Sequence, residues 1–91
     1  MAEIALDLPW LEEYFEYEIR RLQKVVENHK RSLSIAEGEL HIAVKHDMSE
    51  RHIAEWTNKV KEAEQKLGFV EPRLSKLAEQ YQIVRLLLAK S

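Results

Sequence analysis

Apolar residues in the second half of the chain recur at alternating spacings of three and four. This is the a and d pattern of a seven-residue repeat abcdefg, which is typical of a long helix packed against another helix. The rhythm keeps its phase across Gly68 and Pro72, where a turn between two helices would have no reason to preserve it. It therefore predicts one helix, kinked at 68–72, with Pro72 at the solvent-facing f position, where the lost hydrogen bond is open to water. The a and d residues are Ile53, Trp56, Val60, Ala63, Leu67, Val70, Leu74, Leu77, Tyr81, Val84 and Leu88.

The first half of the chain carries the same rhythm, and Gly38 also falls at an f position. Polar residues interrupt the pattern only at Glu12, His29 and Asp47. We call the a and d residues of both halves the seam, and a seam in both halves predicts two helices that pack on each other. In the first half it comprises Leu8, Glu12, Phe15, Ile19, Leu22, Val26, His29, Leu33, Ala36, Leu40, Ala43 and Asp47.

Start and stop signals place the ends of the two helices. Asp7 is a good N-cap and Pro9 suits a first helical turn, because its missing N–H has no partner there. Between the halves, Ser49 is a good N-cap for the second helix, with Asp47 as the alternative. We expect helix 1 over about 9–46, a turn at 47–49 and helix 2 over about 50–90, within a single domain of residues 1–91.

The two rhythms also match each other if the chain folds back at 47–49. Seam residues then meet in layers such as Leu40 with Trp56 and Val26 with Val70, and large residues face small ones in several layers. Flanking charges would also face each other with opposite sign, as in Glu39 with Lys59 and Lys30 with Glu64. The sequence thus predicts an all-α fold, a long antiparallel helical hairpin with arms roughly 60 Å long at about 1.5 Å per residue. The alternative is a three-helix bundle broken near Gly68 and Pro72.

Composition agrees with long helices and narrows the function classes. Charged residues make up 33% of the chain and hydrophobic residues 45%, with two Gly and two Pro. The absence of cysteine excludes disulfides and thiolate chemistry, and a net charge of -2 lacks the basic excess of a typical nucleic-acid domain. The acidic N-terminal stretch is unlike a signal peptide, and the apolar run at 83–89 is short and carries Arg85. We expect a cytoplasmic protein.

Several apolar residues lie off the seam and predict a contact surface. Leu11 and Leu87 would face each other at g positions, near the end where the termini meet. We expect such residues to pack a second hairpin, giving a homodimeric four-helix bundle, with a groove for another protein's helix as the alternative. Val25, Ile35, Ile42 and Val44 are further apolar residues off the seam. The partner-binding or dimer-binding candidates are Trp10, Leu11, Tyr14, Phe69, Ile83, Leu86 and Leu87.

The histidines are the remaining chemically active side chains. His41, His46 and His52 fall near the hairpin tip, where acidic residues also lie, and this mixture makes them weak candidates for a metal site. Their spacing matches no ligand signature, so we expect a solvated polar tip and no cofactor. His29 lies on the seam, where a polar residue can fix the register of the helices, and a pH-sensitive joint is the alternative.

No catalytic motif is present: the sequence has no Gly-rich phosphate loop, nucleophile motif or metalloprotease signature. We expect a non-enzymatic protein–protein interaction module, such as an adaptor, a chaperone-like clamp or a small inhibitor that occludes a larger protein. The alternative is an RNA-binding regulator, because small dimeric hairpins of the Rop type bind RNA through a helix face. That likeness is one of shape only. The basic stretch Arg20, Arg21 and Lys24 would serve it, although glutamates are interleaved with these residues.

Overall fold

The computed structural model describes residues 7–90 and contains two α-helices in this range. Helix α1 is Leu8–Lys45 and helix α2 is Glu50–Lys90, against predicted bounds of 9–46 and 50–90. The helices pack along each other to form a rod with extents of 69 × 26 × 14 Å. The all-helical hairpin predicted from the two seams is confirmed. Within these residues, neither helix has a stretch long and apolar enough to cross a membrane.

Helix α2 continues through the two strongest helix breakers in the chain. Gly68 and Pro72 are both helical and both exposed, and the predicted alternative of a third helix starting there is wrong. Proline lacks the N–H that would bond to the carbonyl four residues earlier, which here belongs to Gly68. Both residues lie on the outer side of the rod, so water can reach that carbonyl. The break is therefore tolerated because it falls on the face that does not pack.

The core of the hairpin is the predicted seam. Within the two helices every seam residue is buried or half-buried, whereas Asp47 in the turn is exposed. The buried side chains among the described residues all belong to the seam: Leu22, Val26, Ala36, Ala43, Ala63, Leu67 and Val84. The other seam residues of the helices stay half-buried, because each helix covers only the side of the seam that faces it and leaves the two flanks open to water. The hairpin thus has a narrow core with two open flanks.

The tip of the hairpin is a tight reversal built from backbone hydrogen bonds. Asp47 has φ 50°, the left-handed conformation that ends many helices. The N–H groups of Met48 and Asp47 donate to the carbonyls of Ala43 and Val44, at 3.0 and 3.2 Å. These two bonds form a Schellman motif and satisfy carbonyls that the end of α1 would otherwise leave without partners.

Side-chain caps begin both helices at the predicted residues. The Oδ1 atom of Asp7 accepts a hydrogen bond from the N–H of Trp10 at 3.2 Å. At the tip, Ser49 Oγ accepts from the N–H of His52 at 3.3 Å. Ser49, and not the alternative Asp47, is therefore the cap of α2. Each cap satisfies one of the N–H groups that a helix start leaves free.

One hydrogen bond between α1 and α2 shows how the two helices are aligned near the termini. The Tyr81 hydroxyl of α2 donates to Glu16 Oε1 of α1 at 2.7 Å, next to the seam residue Phe15. The bond to Glu16 raises the pKa of Tyr81, because the carboxylate favours the protonated phenol. A phenol with a raised pKa in the fold contributes this stability below its unfolded pKa and loses it as the pH rises through the folded value.

Charged side chains add little to the register. Among residues 7–90, the side-chain ion pair within 4.0 Å is that of Arg21 with Glu18, at 2.8 Å on one turn of α1. Its hydrogen bond lowers the pKa of Glu18, so its contribution is present above the unfolded pKa and lost as the pH falls. The expected cross-helix pairs of Glu39 with Lys59 and of Lys30 with Glu64 are not formed within that distance. Exposed pairs gain too little to hold long side chains in one place.

Candidate interaction surface

The seven predicted contact residues occupy two separate places on the rod. Trp10, Leu11 and Tyr14 in α1 lie at the end where α2 finishes, together with Ile83, Leu86 and Leu87. Phe69 lies near the middle of α2, about 21 Å from Ile83 at ~1.5 Å per residue. The structure therefore gathers six of the candidates at the terminus-bearing end and leaves the seventh apart. Leu11 is half-buried and the other six are exposed.

The aromatic residues at the terminus-bearing end form a stack. The rings of Trp10 and Tyr14 lie 5.6 Å apart with an interplanar angle of 12°, and Tyr14 meets the edge of Phe15 at the same centroid distance. Phe15 belongs to the seam, so the stack extends from the core to the surface. The exposed fraction is 58% for Trp10 and 45% for Tyr14. Rings held by stacking present apolar area with little freedom left to lose on binding.

Phe69 is the most exposed of the large apolar side chains in residues 7–90, at 78%. It lies beside a shallow groove of about 650 Å³ that is also lined by His29, Glu62, Gln65, Lys66 and Val70. A second groove of about 270 Å³ continues toward the tip and shares His29, Glu62 and Lys66 with the first. Its apolar lining includes Ile35, Ala36 and Trp56. A protruding ring and an open groove thus lie next to each other on the same side of the rod.

Heptad positions sort the exposed apolar residues by side. We call the side of the seam that carries positions g and c of both helices the g/c flank, and the opposite side, with positions e and b, the e/b flank. Both grooves beside Phe69 lie on the g/c flank. Of the exposed large apolar residues within the two helices, the e/b flank has Val44 alone. The g/c flank has Tyr14, Ile35, Ile42, Phe69, Ile83 and Leu87, besides the half-buried Leu11 and Val25.

This segregation is a feature that the sequence interpretation missed. It took the off-seam apolar residues as one group and favoured the terminus-bearing end. The signal was available in the heptad itself, since five of the exposed residues share position c. These are Tyr14, Ile35, Ile42, Phe69 and Ile83.

The seam tryptophan is held by polar neighbours on the g/c flank. The Nε1–H group of Trp56 donates to Nε2 of His52 at 3.2 Å, and the Nζ atom of Lys59 lies 4.1 Å from the ring centroid. A cation over an indole face is attracted by the ring's negative face. These contacts fix one wall of the groove toward the tip.

The tip histidines do not form a metal centre in the described chain. No three His, Asp or Glu side chains of residues 7–90 lie in a group that could hold a metal ion. His52, one of the three weak candidates with His41 and His46, already uses its Nε2 atom to accept from Trp56. His29 is half-buried on the seam and lines both grooves beside Phe69.

A basic patch lies on the outer side of α1, away from both grooves. Tyr17, Arg20, Arg21 and Lys24 line a shallow depression there, and Tyr17 is 66% exposed. Glu18 pairs with Arg21 and offsets part of the positive charge. The patch therefore combines one exposed ring with a small excess of cations.

Comparisons of the sequence with protein-family models and curated proteins, and with the solved structures, give no match.

Proposed function

We propose that this chain is a non-enzymatic protein–protein interaction module that works as a homodimer. It would act as an adaptor, a chaperone-like clamp or a small inhibitor that occludes a surface of a larger protein. The observation that carries the proposal is the group of exposed apolar residues at the terminus-bearing end, which has the stacked Trp10 and Tyr14 on α1 and Ile83 and Leu86 on α2. The cytoplasmic location expected from the sequence is part of the same proposal.

The chemistry of this cluster suits recognition of another protein. Binding energy at protein interfaces is concentrated in a few residues, among which Trp and Tyr are enriched. Exposed apolar residues that gather at one place mark an interaction site more often than scattered ones do. The charged residues along the rod form a mosaic of acids and bases, which can steer a partner and select against wrong ones.

The proposal is tested by capturing partners from the native host with variants of the cluster. Trp10→Ser combined with Leu86→Ser should abolish capture, because the double variant removes two exposed apolar side chains of this end. Both lie at f positions outside the core, so the fold should not change. Tyr17→Ser is the matched control, since Tyr17 is also an exposed aromatic at f but lies in the basic patch. Capture that survives the double variant, or that Tyr17→Ser abolishes equally, would contradict the placement of the site.

RNA binding is the second candidate, and the basic patch on α1 is the observation that favours it. Cationic side chains beside an exposed ring can hold phosphates while a base stacks on the ring. Retention on single-stranded RNA that falls steeply between about 50 and 200 mM salt would support this candidate. Arg20→Ala with Lys24→Ala should then remove the retention. No retention at the lower salt concentration would exclude it and leave the protein-binding function.

A further inference from the structure

We propose that a second copy of this chain covers the g/c flank, with the two hairpins parallel and their tips at the same end. Helix α1 of each copy would lie on α2 of the other. The inference rests on the homodimer of the proposed function and specifies its interface and symmetry. It also assigns Phe69, a candidate for either partner binding or dimer binding, to the contact between copies.

The first argument is the one-sided distribution of apolar side chains. The g/c flank has exposed large apolar residues along its length, from Tyr14 and Ile83 at one end to Ile42 near the tip. The e/b flank has Val44 alone within α1 and α2. A flank that exposes apolar residues along a whole rod fits a partner that also extends along the rod, and a second hairpin has that shape.

The second argument is area. The rod is 69 Å long, and two helices of about 10 Å diameter side by side make a face about 20 Å wide. Such a face exceeds the roughly 800 Å² that each partner contributes to a standard protein interface. A second copy would also cover the half-buried seam residues that the hairpin alone leaves open. These include Leu33, Trp56 and Val70.

The third argument is charge, which decides between two possible two-fold axes. An axis across the rod would lay α1 on α1 and α2 on α2, and an axis along the rod lays α1 on α2. On the g/c flank α2 carries Glu55 and Glu62 but also five bases, Lys59, Lys66, Arg73, Lys76 and Lys90. On the same flank α1 carries Glu18, Glu39 and Arg21, of which Arg21 is bound to Glu18. Stacking α2 on α2 opposes like charges, so the axis along the rod is favoured.

The fourth argument is that the protruding ring and the groove lie at one level. His29 of α1 and Phe69 of α2 line the same groove, so they are at about the same height along the rod. A two-fold axis along the rod keeps heights unchanged and exchanges the helices. It therefore brings the partner's Phe69 onto α1 beside His29, and the reciprocal contact forms by symmetry.

The same axis matches the remaining apolar residues. Near the termini, Leu11 and Tyr14 of one copy face the partner's Ile83 and Leu87, while Glu39 comes level with the partner's Lys59. The f-position side chains Trp10 and Leu86 stay outside the interface and are brought to one end in two copies. The dimer would thus offer Trp10 and Leu86, the part of the cluster outside the interface, twice at the same end, which can raise avidity.

The interface is tested with a matched pair of exposed substitutions, Phe69→Glu on the g/c flank and Val44→Glu on the e/b flank. Light scattering after size exclusion should give twice the 10.8 kDa chain mass for the unmodified protein and for Val44→Glu, and the single chain mass for Phe69→Glu. Circular dichroism should show unchanged helicity in Phe69→Glu, because the side chain contacts no core. A monomeric unmodified protein, or a Phe69→Glu protein that remains dimeric, would overturn the inference.

Charge exchange tests the contact of α1 with the partner's α2. Glu39→Lys and Lys59→Glu should each weaken the dimer, because each places like charges at the same level of the bundle. An equimolar mixture of the two single variants should restore it, since each chain then meets the opposite charge on its partner. A mixture that associates no better than the separate variants would overturn the assignment.

The direction of packing is tested at the tip. Arg51→Cys introduces a cysteine at an exposed position of a chain that has none. In a mixture of donor-labelled and acceptor-labelled Arg51→Cys chains, energy transfer between the two copies should be efficient. Tips at opposite ends, separated by most of the 69 Å rod, would overturn the parallel arrangement. These failures are distinguishable from failure of the proposed function, which is read from capture by the Trp10 and Leu86 variants.

Discussion

Two segments of this chain are candidates for ending a helix, and the one that does so contains neither glycine nor proline. The tip, residues 46–49, reverses the chain without any Gly or Pro. The segment 68–72 contains a glycine and a proline, and helix α2 passes through it. The local strength of the breaker is therefore a poor guide to where this chain turns.

The difference lies in what each segment offers the backbone and the seam. At the tip, the N–H groups of Asp47 and Met48 donate hydrogen bonds to the last carbonyls of α1, and Ser49 caps α2. At 68–72, the seam continues on both sides, with Leu67 buried and Val70 half-buried. Apolar burial in phase outweighs one missing hydrogen bond on the solvent side.

The largest effect on the free energy of unfolding is expected at the seam residue beside Gly68 and Pro72. Leu67→Ala should lower the free energy of unfolding by about 3 kcal/mol, because it removes a buried side chain and leaves a cavity. Gln65→Ala, two residues away at an exposed f position, should change it by less than about 0.5 kcal/mol. Urea denaturation at one fixed protein concentration measures both. Equal effects would mean that the seam does not hold this part of α2 in place.

The proline gives the next largest effect. Pro72→Ala should raise the free energy of unfolding by about 2 kcal/mol, since alanine restores the N–H and removes the clash with the preceding turn. Pro9→Ala should have little effect, because Pro9 lies in the first turn of α1, where N–H groups have no helical partner. Thermal denaturation of the two variants separates these expectations. A stability loss in Pro72→Ala would show that α2 depends on the proline.

The smallest effect is expected at the tip. Asp47→Gly should raise the free energy of unfolding by about 1 kcal/mol, because glycine adopts the left-handed conformation without the Cβ penalty. Asp47→Ala should lower it, since alanine gains no local hydrogen bond there. Chemical denaturation ranks the three proteins. If glycine is not the most stable of them, Asp47 has a favourable interaction that the backbone geometry does not explain.

Much of the fold was predictable because the spacing of the seam residues follows directly from which side of each helix is buried. The 3-4 rhythm identified the packed face. Asp7 and Ser49 predicted the first residue of each helix to within one residue of the observed one. The left-handed Asp47 was not predictable, because it depends on the backbone of the completed reversal. Cross-helix ion pairs such as Glu39 with Lys59 were expected and are not formed, since exposed pairs gain too little.

The candidate surface was predictable in part. Exposure of Trp10, Tyr14, Phe69 and the leucines near the C-terminal end follows from their positions off the seam. The stack of Trp10 on Tyr14 and the contact of Lys59 with Trp56 depend on rotamers that a heptad does not specify. Homodimerisation, partner binding and the absence of catalysis stay predictions.

The unbroken course of α2 through Gly68 and Pro72 is the central claim, and a distance measurement tests it directly. Spin labels on cysteines at Asn58 and Glu79, exposed f positions three heptads apart, can be added cleanly to a chain without cysteine. Electron–electron resonance, with labelled protein diluted into unlabelled protein, should give a distance of about 32 Å, the rise of a continuous helix. A helix that turned back at 68–72 would bring the two positions level on adjacent helices about 10 Å apart. A distance below about 20 Å would contradict the account.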